Sequence, residues 1–319
     1  MIELMERRSY CIPALLGGDT SVLLLTGRMN AMNRDVLAAI QENIHTFSKG
    51  QKKIASFILE FYDKAAFMTA SRLGQKVGVS ESTVVRFASE LGYDGYPDMQ
   101  RSLQKLIRNR LTTVQRIEVT NDRLGDQDLL SMVLQSDIDK IRVTLEELDR
   151  KSFNQAVDAI VSARKIYIIG VRSSASIASF LHFYFNLIFE NVTLVSSSTA
   201  SEIFESLLRV GEEDVVIGVS FPRYSSRTVR AMSFARDRGA TTIAITDSEA
   251  SPLALFARCT LMARSDMASF VDSLVAPLSL VNALLVAVSR RKNDELARTF
   301  RTLEDIWDEY GVYEKVQDV

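Results

Sequence analysis

Residues 69–92 read TASRLGQKVGVSESTVVRFASELG, a stretch that predicts two short helices joined by a tight turn. Thr69 and Ser80 stand where N-caps are expected, and Gly78 supplies the left-handed conformation that often ends a helix. In the second helix the apolar residues recur at spacings of three and four, which predicts one buried face: Val84, Phe87, Ala88 and Leu91. Together these signals predict a helix-turn-helix. Upstream, helical spacing of apolar residues predicts a further helix over 49–62, with Ser48 as its N-cap.

Polar residues gather at the start of the second helix, on the face opposite its apolar one. A recognition helix presents that end to base edges in the major groove. Arg bonds both acceptors of guanine, and Ser, Thr and Lys reach bases or phosphates. The predicted DNA-binding residues are Ser80, Ser82, Thr83, Arg86, Lys52 and Lys76. The alternative interpretation is an ordinary three-helix packing unit with solvated charges.

The same region resembles the N-terminal domain of RpiR-type bacterial transcriptional regulators. The resemblance covers about residues 36–110 and is carried by FSKGQKKIASFIL at 47–59, VGVSESTVVRF at 77–87 and LGYDGY at 91–96. It implies a winged or extended helix-turn-helix. It also puts Ser82, Thr83 and Arg86 where the family reads DNA.

From about residue 165 the chain alternates between apolar strands and helices. Strands are predicted at 165–170, 192–195, 215–220, 241–246 and 259–263, and a long apolar helix at 270–290 closes the unit. This alternation predicts an α/β domain with a five-stranded parallel sheet flanked by helices. In such folds a ligand binds at the carboxyl ends of the strands. The whole fold is therefore an all-α N-terminal domain joined to an α/β domain.

Two of the predicted strand-end loops are rich in hydroxyls, at 170–175 and 220–228. Both lack the Gly pattern of a Walker loop or a dinucleotide fingerprint, so neither indicates a nucleotide cofactor. Ser hydroxyls, backbone N–H groups and Arg together suit a phosphate. The alternative is that these Ser residues only cap helices.

Residues 155–290 resemble the sugar isomerase (SIS) domain, the usual partner of the RpiR-type DNA-binding domain. In that family the two loops follow Gly-x-Gly-x-Ser and Ser-x-Ser-Gly-x-Thr; here Arg172, Pro222 and Arg223 depart from the pattern. The resemblance implies a phosphosugar ligand, and the added guanidiniums indicate a more highly charged ligand or a different class. The predicted ligand-binding residues are Ser173, Ser174, Ser220, Arg223, Ser225 and Arg172. A weaker expectation adds Ser265, Asp266 and Ser269.

The alternative to a DNA-binding regulator is an SIS-type sugar-phosphate isomerase with an accessory N-terminal domain. Aldose–ketose isomerisation needs a general base beside the phosphate site, commonly Glu or His. His45 lies in the DNA-binding half, His182 lies about two turns into a helix, and a capping-box role explains Glu202. The sequence therefore favours a DNA-binding regulator that senses a phosphorylated sugar, with no catalytic residue.

The amino-acid composition agrees with a DNA-binding regulator. The chain is 47% hydrophobic and 24% charged, as in a soluble globular protein. Cys11 and Cys259 lie far apart and predict neither a disulfide framework nor a metal site, so a reducing cytoplasm is expected. Residues 33–117 carry 13 Lys and Arg against 8 Asp and Glu, whereas residues 118–319 carry 22 against 29. A basic front end suits a polyanion such as DNA.

The predicted domains divide the chain into five segments. They are an extension at 1–32 that is disordered or not native, a helix-turn-helix domain at 33–112, a helical linker at 113–150, an SIS domain at 151–295 and a C-terminal helix at 296–319. An apolar stripe in the linker either pairs with its copy in a dimer or packs on its own sensor domain. The expected partners are a double-stranded DNA operator, a phosphorylated sugar and further copies in a homodimer or homotetramer. No cofactor, metal or membrane is expected.

Overall fold

The computed structural model of the protein describes residues 36–107, 112–117, 128–196, 199–266 and 271–313. The predicted extension at 1–32 lies outside these residues. The chain divides into two compact units, with the boundary between Ile107 and Arg108. Among the described residues, no helix is long and apolar enough to cross a membrane.

The first unit is built of helices around one apolar core. In chain order they are α1 (Val36–Asn43), α2 (Lys49–Glu60), α3 (Tyr62–Ala65), α4 (Ala70–Val77), α5 (Glu81–Glu90) and α6 (Tyr96–Ile107). The fully buried side chains include Ile40, Ile54, Ile58, Leu73, Phe87, Met99 and Leu103. Residues 36–107 contain no strand, so the extended form of the motif, and not the winged form, is present there.

The predicted caps and turn of this unit are confirmed. Ser48 forms a capping box with Gln51, and the Thr69 and Ser80 side chains accept from the N–H groups of Arg72 and Thr83. Gly78 ends α4 with a φ of 70°. One boundary is wrong: the helix predicted over 49–62 ends at Glu60, and a separate four-residue turn, α3, follows.

The second unit holds a five-stranded sheet and its helices. After a helical turn at 113–117 come α7 (Leu129–Glu147), α8 (Arg150–Ser162), β1 (Lys165–Gly170), α9 (Ser174–Ile188), β2 (Val192–Val195), α10 (Ala200–Ser206), β3 (Asp214–Val219), α11 (Ser226–Asp237), β4 (Thr241–Thr246), a 3₁₀ turn (Ala254–Phe256), β5 (Cys259–Met262), α12 (Val275–Arg291) and α13 (Asn293–Glu309). The strands agree with the predicted ones to within one residue at each end. The predicted 270–290 helix starts later, and the predicted 296–319 helix starts earlier, at Asn293, and ends at Glu309.

All strand pairs are parallel, and the sheet order is β2-β1-β3-β4-β5. Helices α8, α9 and α12 cover one face, against side chains such as Ile166 and Ile168 of β1. Helices α10 and α11 cover the other face, against Tyr167 and Ile169. The sheet is therefore buried on both sides, which is why its strands are apolar without alternating with polar residues.

Helix α7 has two different faces. Lys140 and Thr144 are buried, and the Thr144 hydroxyl accepts from the backbone N–H of Arg264 at 2.9 Å, so this polar face packs on the sheet unit. Of the predicted apolar stripe, Val143 is partly buried and the other five residues are exposed: Leu129, Val133, Ile138, Ile141 and Leu145. Leu130 and Leu134 are exposed as well. The helix thus rests on its own domain through polar groups while its apolar side is uncovered.

Candidate functional site

A cavity of about 1,100 Å³ opens where β1 and β3 end. In the order β2-β1-β3-β4-β5 the connections leave β1 and β3 in opposite directions, and such a switch point leaves a crevice at the carboxyl ends of the strands. We call this cavity the strand-end pocket. All six residues predicted to bind the ligand line it: Arg172, Ser173, Ser174, Ser220, Arg223 and Ser225.

The first loop is shaped by Gly170 and Arg172. A Cβ on Gly170 would lie 2.7 Å from the Ser174 carbonyl oxygen, so only Gly allows α9 to start so close to β1. Arg172 has a φ of 59°, a left-handed conformation that is uncommon outside Gly. The Ser173 side chain makes no cap hydrogen bond at the start of α9, so a helix-cap role does not explain this residue.

The second loop is held by hydroxyl contacts. The Ser220 hydroxyl accepts from the backbone N–H of Ser225 at 3.0 Å, and the Ser225 hydroxyl in turn caps α11. From the end of β4, the Thr246 hydroxyl donates to the Ser220 carbonyl oxygen at 2.9 Å. The Tyr224 hydroxyl donates to an Asp247 carboxylate oxygen at 2.8 Å. The loop is therefore fixed before any ligand arrives, and two of its Ser residues support structure as well as lining the pocket.

The charge of the lining is mainly positive. Its charged residues are Arg116, Arg172, Arg223, Arg227 and Asp272. Arg172, Arg223 and Arg227 are exposed, whereas Arg116 is only 4% exposed and its Nη1 lies 2.9 Å from Oδ1 of Asp272. Four guanidiniums against one carboxylate favour an anionic ligand.

Sequence reasoning missed the part of the lining that comes from distant segments. Arg116 and Asp272 are 156 positions apart, and no local motif links them. Ser265 and Asp266, the weaker expectation, do not line the pocket; the Ser265 hydroxyl donates to the Ser273 carbonyl oxygen, and the Asp266 carbonyl accepts from the Ser273 N–H. Ser269 lies outside the described residues. The two residues therefore support the segment that carries Asp272.

The candidate bases lie away from the pocket. His182 and Glu202 are absent from its lining, and among the described lining residues Asp272 is the single carboxylate and there is no His. His182 sits within hydrogen-bond distance of the Asn186 side chain, and partial burial lowers the pKa of its imidazole below the ordinary value. In the described part of the chain no group of three His, Cys, Asp or Glu side chains is arranged to hold a metal ion.

The candidate DNA-reading face lies on α5. Ser82 and Arg86 are exposed and Thr83 is partly buried, while Val84, Phe87 and Ala88 point into the core as predicted. The Ser80 hydroxyl lies 2.9 Å from that of Ser82 and 2.8 Å from that of Thr83. These hydroxyls thus form one cluster at the start of the helix. Lys52 and Lys76 are both exposed.

Helices α2 and α5 approach closely at this end. A Cβ on Gly50 would lie 3.5 Å from Val79 and 3.6 Å from the Thr83 methyl group. The start of α2, which carries Lys52, therefore lies beside the start of α5.

Two family models match the chain. The model described as "Helix-turn-helix domain, rpiR family" matches residues 34–110, and the SIS domain model matches residues 159–287. The HTH-type transcriptional regulator HexR of Escherichia coli is 28% identical over 282 residues, which are 85% of this chain and 95% of HexR.

Two solved structures share this architecture. The sugar isomerase domain of an RpiR transcription factor from Sphaerobacter thermophilus is 30% identical, with a TM-score of 0.54, and the match covers 56% of this chain and 99% of that one. The NanR protein of Vibrio vulnificus, solved in complex with ManNAc-6P, is 23% identical, with a TM-score of 0.53 over 86% of this chain and 99% of that one. The second likeness concerns the fold.

Proposed function

The chain belongs to the RpiR family of HTH-type transcriptional regulators, and we propose that its strand-end pocket binds a phosphorylated sugar whose presence changes the affinity for operator DNA. The first unit then supplies the contact with DNA and the SIS unit the contact with the effector. We keep the predicted domain limits for these roles, 33–112 for DNA binding and 151–295 for effector binding.

The observation that carries this proposal is the convergence of two hydroxyl-rich loops and four guanidiniums on one cavity. A phosphate dianion accepts hydrogen bonds from Ser hydroxyls, backbone N–H groups and Arg. The pocket also lies at the N-termini of α9 and α11, whose dipoles favour an anion. Vibrio vulnificus NanR, which shares the fold, was solved with the phosphosugar ManNAc-6P, and this agrees with a phosphosugar effector here.

We propose binding without turnover. Isomerisation needs a base that exchanges a proton with the sugar carbon chain. Asp272 is the one carboxylate among the described lining residues, and it is engaged by Arg116. Incubation of the full chain with glucose 6-phosphate, ManNAc-6P and fructose 6-phosphate should leave all three unchanged by NMR. Interconversion of any of them would favour the isomerase alternative.

For DNA we propose that α5 enters the major groove, with Ser82, Thr83 and Arg86 at base edges and Ser80, Lys52 and Lys76 near phosphates. Arg86, Lys52 and Lys76 are exposed. They lie within residues 33–117, which carry more Lys and Arg than Asp and Glu. Two-fold proteins use two-fold sites, and one helix-turn-helix buries little surface, so we propose that the active form is a homodimer or a homotetramer.

The test uses the full-length protein and an operator selected from random DNA. Operator affinity is measured with and without each phosphosugar. The binding of each phosphosugar to the protein is measured directly by calorimetry. The double variant Ser174→Ala with Ser220→Ala should keep its basal operator affinity and lose the response to the effector. The matched control, Ser289→Ala at a partly exposed position of α12 outside the pocket lining, should respond like the wild type. If the Ser174/Ser220 variant still responds at the same concentration, the effector binds elsewhere.

A further inference from the structure

Two chain segments line the strand-end pocket without belonging to either hydroxyl-rich loop. One is the stretch 112–117, which contains the helical turn at 113–117 and which we call the strap; it supplies Thr113 and Arg116. The other is the stretch 271–274, which we call the wall; it supplies Val271, Asp272 and Leu274. The strap is the first described stretch after the boundary between the two units. The pocket is therefore bordered by the chain that leads away from the DNA-binding unit.

The strap and the wall are joined by a buried ion pair. The Arg116 side chain is 5% exposed, the Asp272 side chain is 12% exposed, and Nη1 lies 2.9 Å from Oδ1. Burying two charges is costly, and a buried pair often adds little stability compared with apolar residues of similar size. Stability alone therefore gives a weak reason for a buried Arg–Asp pair at the edge of an anion pocket.

The wall also contacts α7, the next described helix after the strap. The Ser273 hydroxyl donates to Oδ1 of Asp137 at 2.7 Å, and Lys140 donates to the same oxygen at 3.2 Å. Two neighbouring wall residues, Asp272 and Ser273, thus contact two parts of the chain between the DNA-binding unit and α8. A displacement of the wall would therefore change contacts with both the strap and α7.

An anionic ligand changes the balance at this ion pair. Its phosphate offers the Arg116 guanidinium a second, more highly charged acceptor, and it repels the Asp272 carboxylate. The Arg116 guanidinium can consequently pair with Asp272 in the empty pocket and with the ligand phosphate in the occupied pocket. Two discrete arrangements with different affinities for the ligand are what a switch requires.

We propose that Arg116 is an effector-contact residue, which transfers from Asp272 to the anionic group of the effector and thereby carries occupancy of the pocket into the strap. The inference rests on the proposed function, because it assigns the regulation of the same pocket. It predicts that the two partners of one ion pair have opposite effects on ligand affinity. Loss of the guanidinium weakens binding, whereas loss of the competing carboxylate strengthens it.

The experiment measures the binding of ManNAc-6P and of inorganic phosphate to the full-length protein by calorimetry. Arg116→Gln should weaken both at least about tenfold, as expected for a lost charged hydrogen bond. Asp272→Asn should tighten both severalfold. The double variant, which has lost both charges of the pair, should bind as weakly as Arg116→Gln, and it replaces that variant if the single change prevents folding.

Arg164→Gln is the matched control. Arg164 pairs with the buried Asp214 at 2.8 Å, at the amino ends of the strands and away from the pocket. The Arg164→Gln variant also loses an Arg–Asp pair, yet it should bind both probes like the wild type. If Asp272→Asn weakens binding as much as Arg116→Gln does, the pair is only structural and the inference is overturned.

The coupling has its own readout. At saturating ManNAc-6P the operator affinity of Arg116→Gln should equal that of the same variant without ligand, although the pocket is filled. A full wild-type response at saturation would overturn the role of the strap and leave the proposed function intact. If the wild type binds neither probe nor any other phosphosugar, the proposed function fails as well, and the two failures are thus distinguishable.

Discussion

Arg172 occupies a left-handed backbone position, with a φ of 59°, where the SIS loop that it resembles has Gly. A non-Gly residue costs about 1–2 kcal/mol in this conformation. Replacement by Gly relieves that strain but adds about 0.5–1 kcal/mol of chain entropy in the unfolded state. We therefore expect Arg172→Gly to change the free energy of unfolding by less than about 1 kcal/mol.

The same variant should bind phosphosugar more weakly, because a guanidinium leaves the pocket. Thermal unfolding and calorimetry on the same sample measure both quantities. Arg172→Ala serves as the comparison, since it also removes the charge but keeps the left-handed strain. Unchanged affinity in both variants would mean that Arg172 points its charge into solvent and does not reach the ligand.

Arg86 and Lys76 are both exposed cations of the first unit, and we expect different losses from them. Arg86→Ala should reduce the discrimination between operator and scrambled DNA by about 1–3 kcal/mol, the value of a bidentate contact with a base. Lys76→Ala should lower the affinity for both DNAs alike and reduce the salt dependence by about one phosphate contact. Titrations of both DNAs at several salt concentrations separate the two outcomes. Equal discrimination by Arg86→Ala and wild type would remove Arg86 from base recognition.

The sequence predicted the local helix caps but not the pairing of residues that lie far apart in the chain. The caps at Ser48, Thr69 and Ser80 follow from hydroxyls placed just before helical periodicity, so the sequence alone indicates them. The Arg116–Asp272 pair joins two residues that are 156 positions apart in the chain, and it forms because the fold brings their segments together. No spacing rule within either segment contains that information.

At the scale of elements, the helix-turn-helix depends on a close approach between α4 and the start of α5. A Cβ on Gly74 would lie 2.8 Å from the Val79 carbonyl oxygen, whereas a Cβ on Gly50 would meet only side-chain carbons at 3.5 Å or beyond. Gly74→Ala should therefore destabilise the unit by about 1–3 kcal/mol through overpacking. Gly50→Ala should not destabilise it, because Ala favours a helix and the space is available. Denaturant unfolding of the full chain, followed by circular dichroism, compares the pair; equal stabilities would mean that the turn yields to the extra methyl group.

The elements themselves were predictable because their signals are local. Apolar runs of strand length between Gly-, Ser- and Asp-containing turns predicted β1 to β5 to within one residue at each end. Helix α3 was missed because Phe61 and Tyr62 continue the apolar spacing of α2, although the backbone at Phe61 is no longer helical. Which face of α7 would be buried was also undetermined, since its buried residues Lys140 and Thr144 are polar and its apolar stripe is the exposed face.

At the scale of the whole molecule, that exposed stripe is the strongest indication of assembly. Leu134, Ile138, Ile141 and Leu145 follow one another at spacings of four, three and four, the pattern of a helix that pairs with another helix. Leu134 is 54% exposed and Leu145 63% exposed, so a contiguous apolar surface meets solvent in a single chain. By contrast, α12 packs a face that includes Leu280, Val281 and Leu284 into the core of its own domain, which leaves α7 as the better candidate for the interface of a homodimer.

If α7 forms the proposed homodimer interface, the double change Leu134→Glu with Ile138→Glu should give a monomer without unfolding the chain. Both side chains are exposed, and surface substitutions usually change stability by less than about 0.5 kcal/mol. A monomer reads one half-site, so operator affinity should fall steeply while the affinity of the SIS pocket for its ligand persists. Sedimentation velocity at micromolar concentration gives the mass, and operator titration gives the consequence. Val286→Glu, on the exposed side of α12 and 60% exposed, is the matched control and should remain dimeric; if it becomes the monomer and the α7 variant stays dimeric, the interface lies on α12.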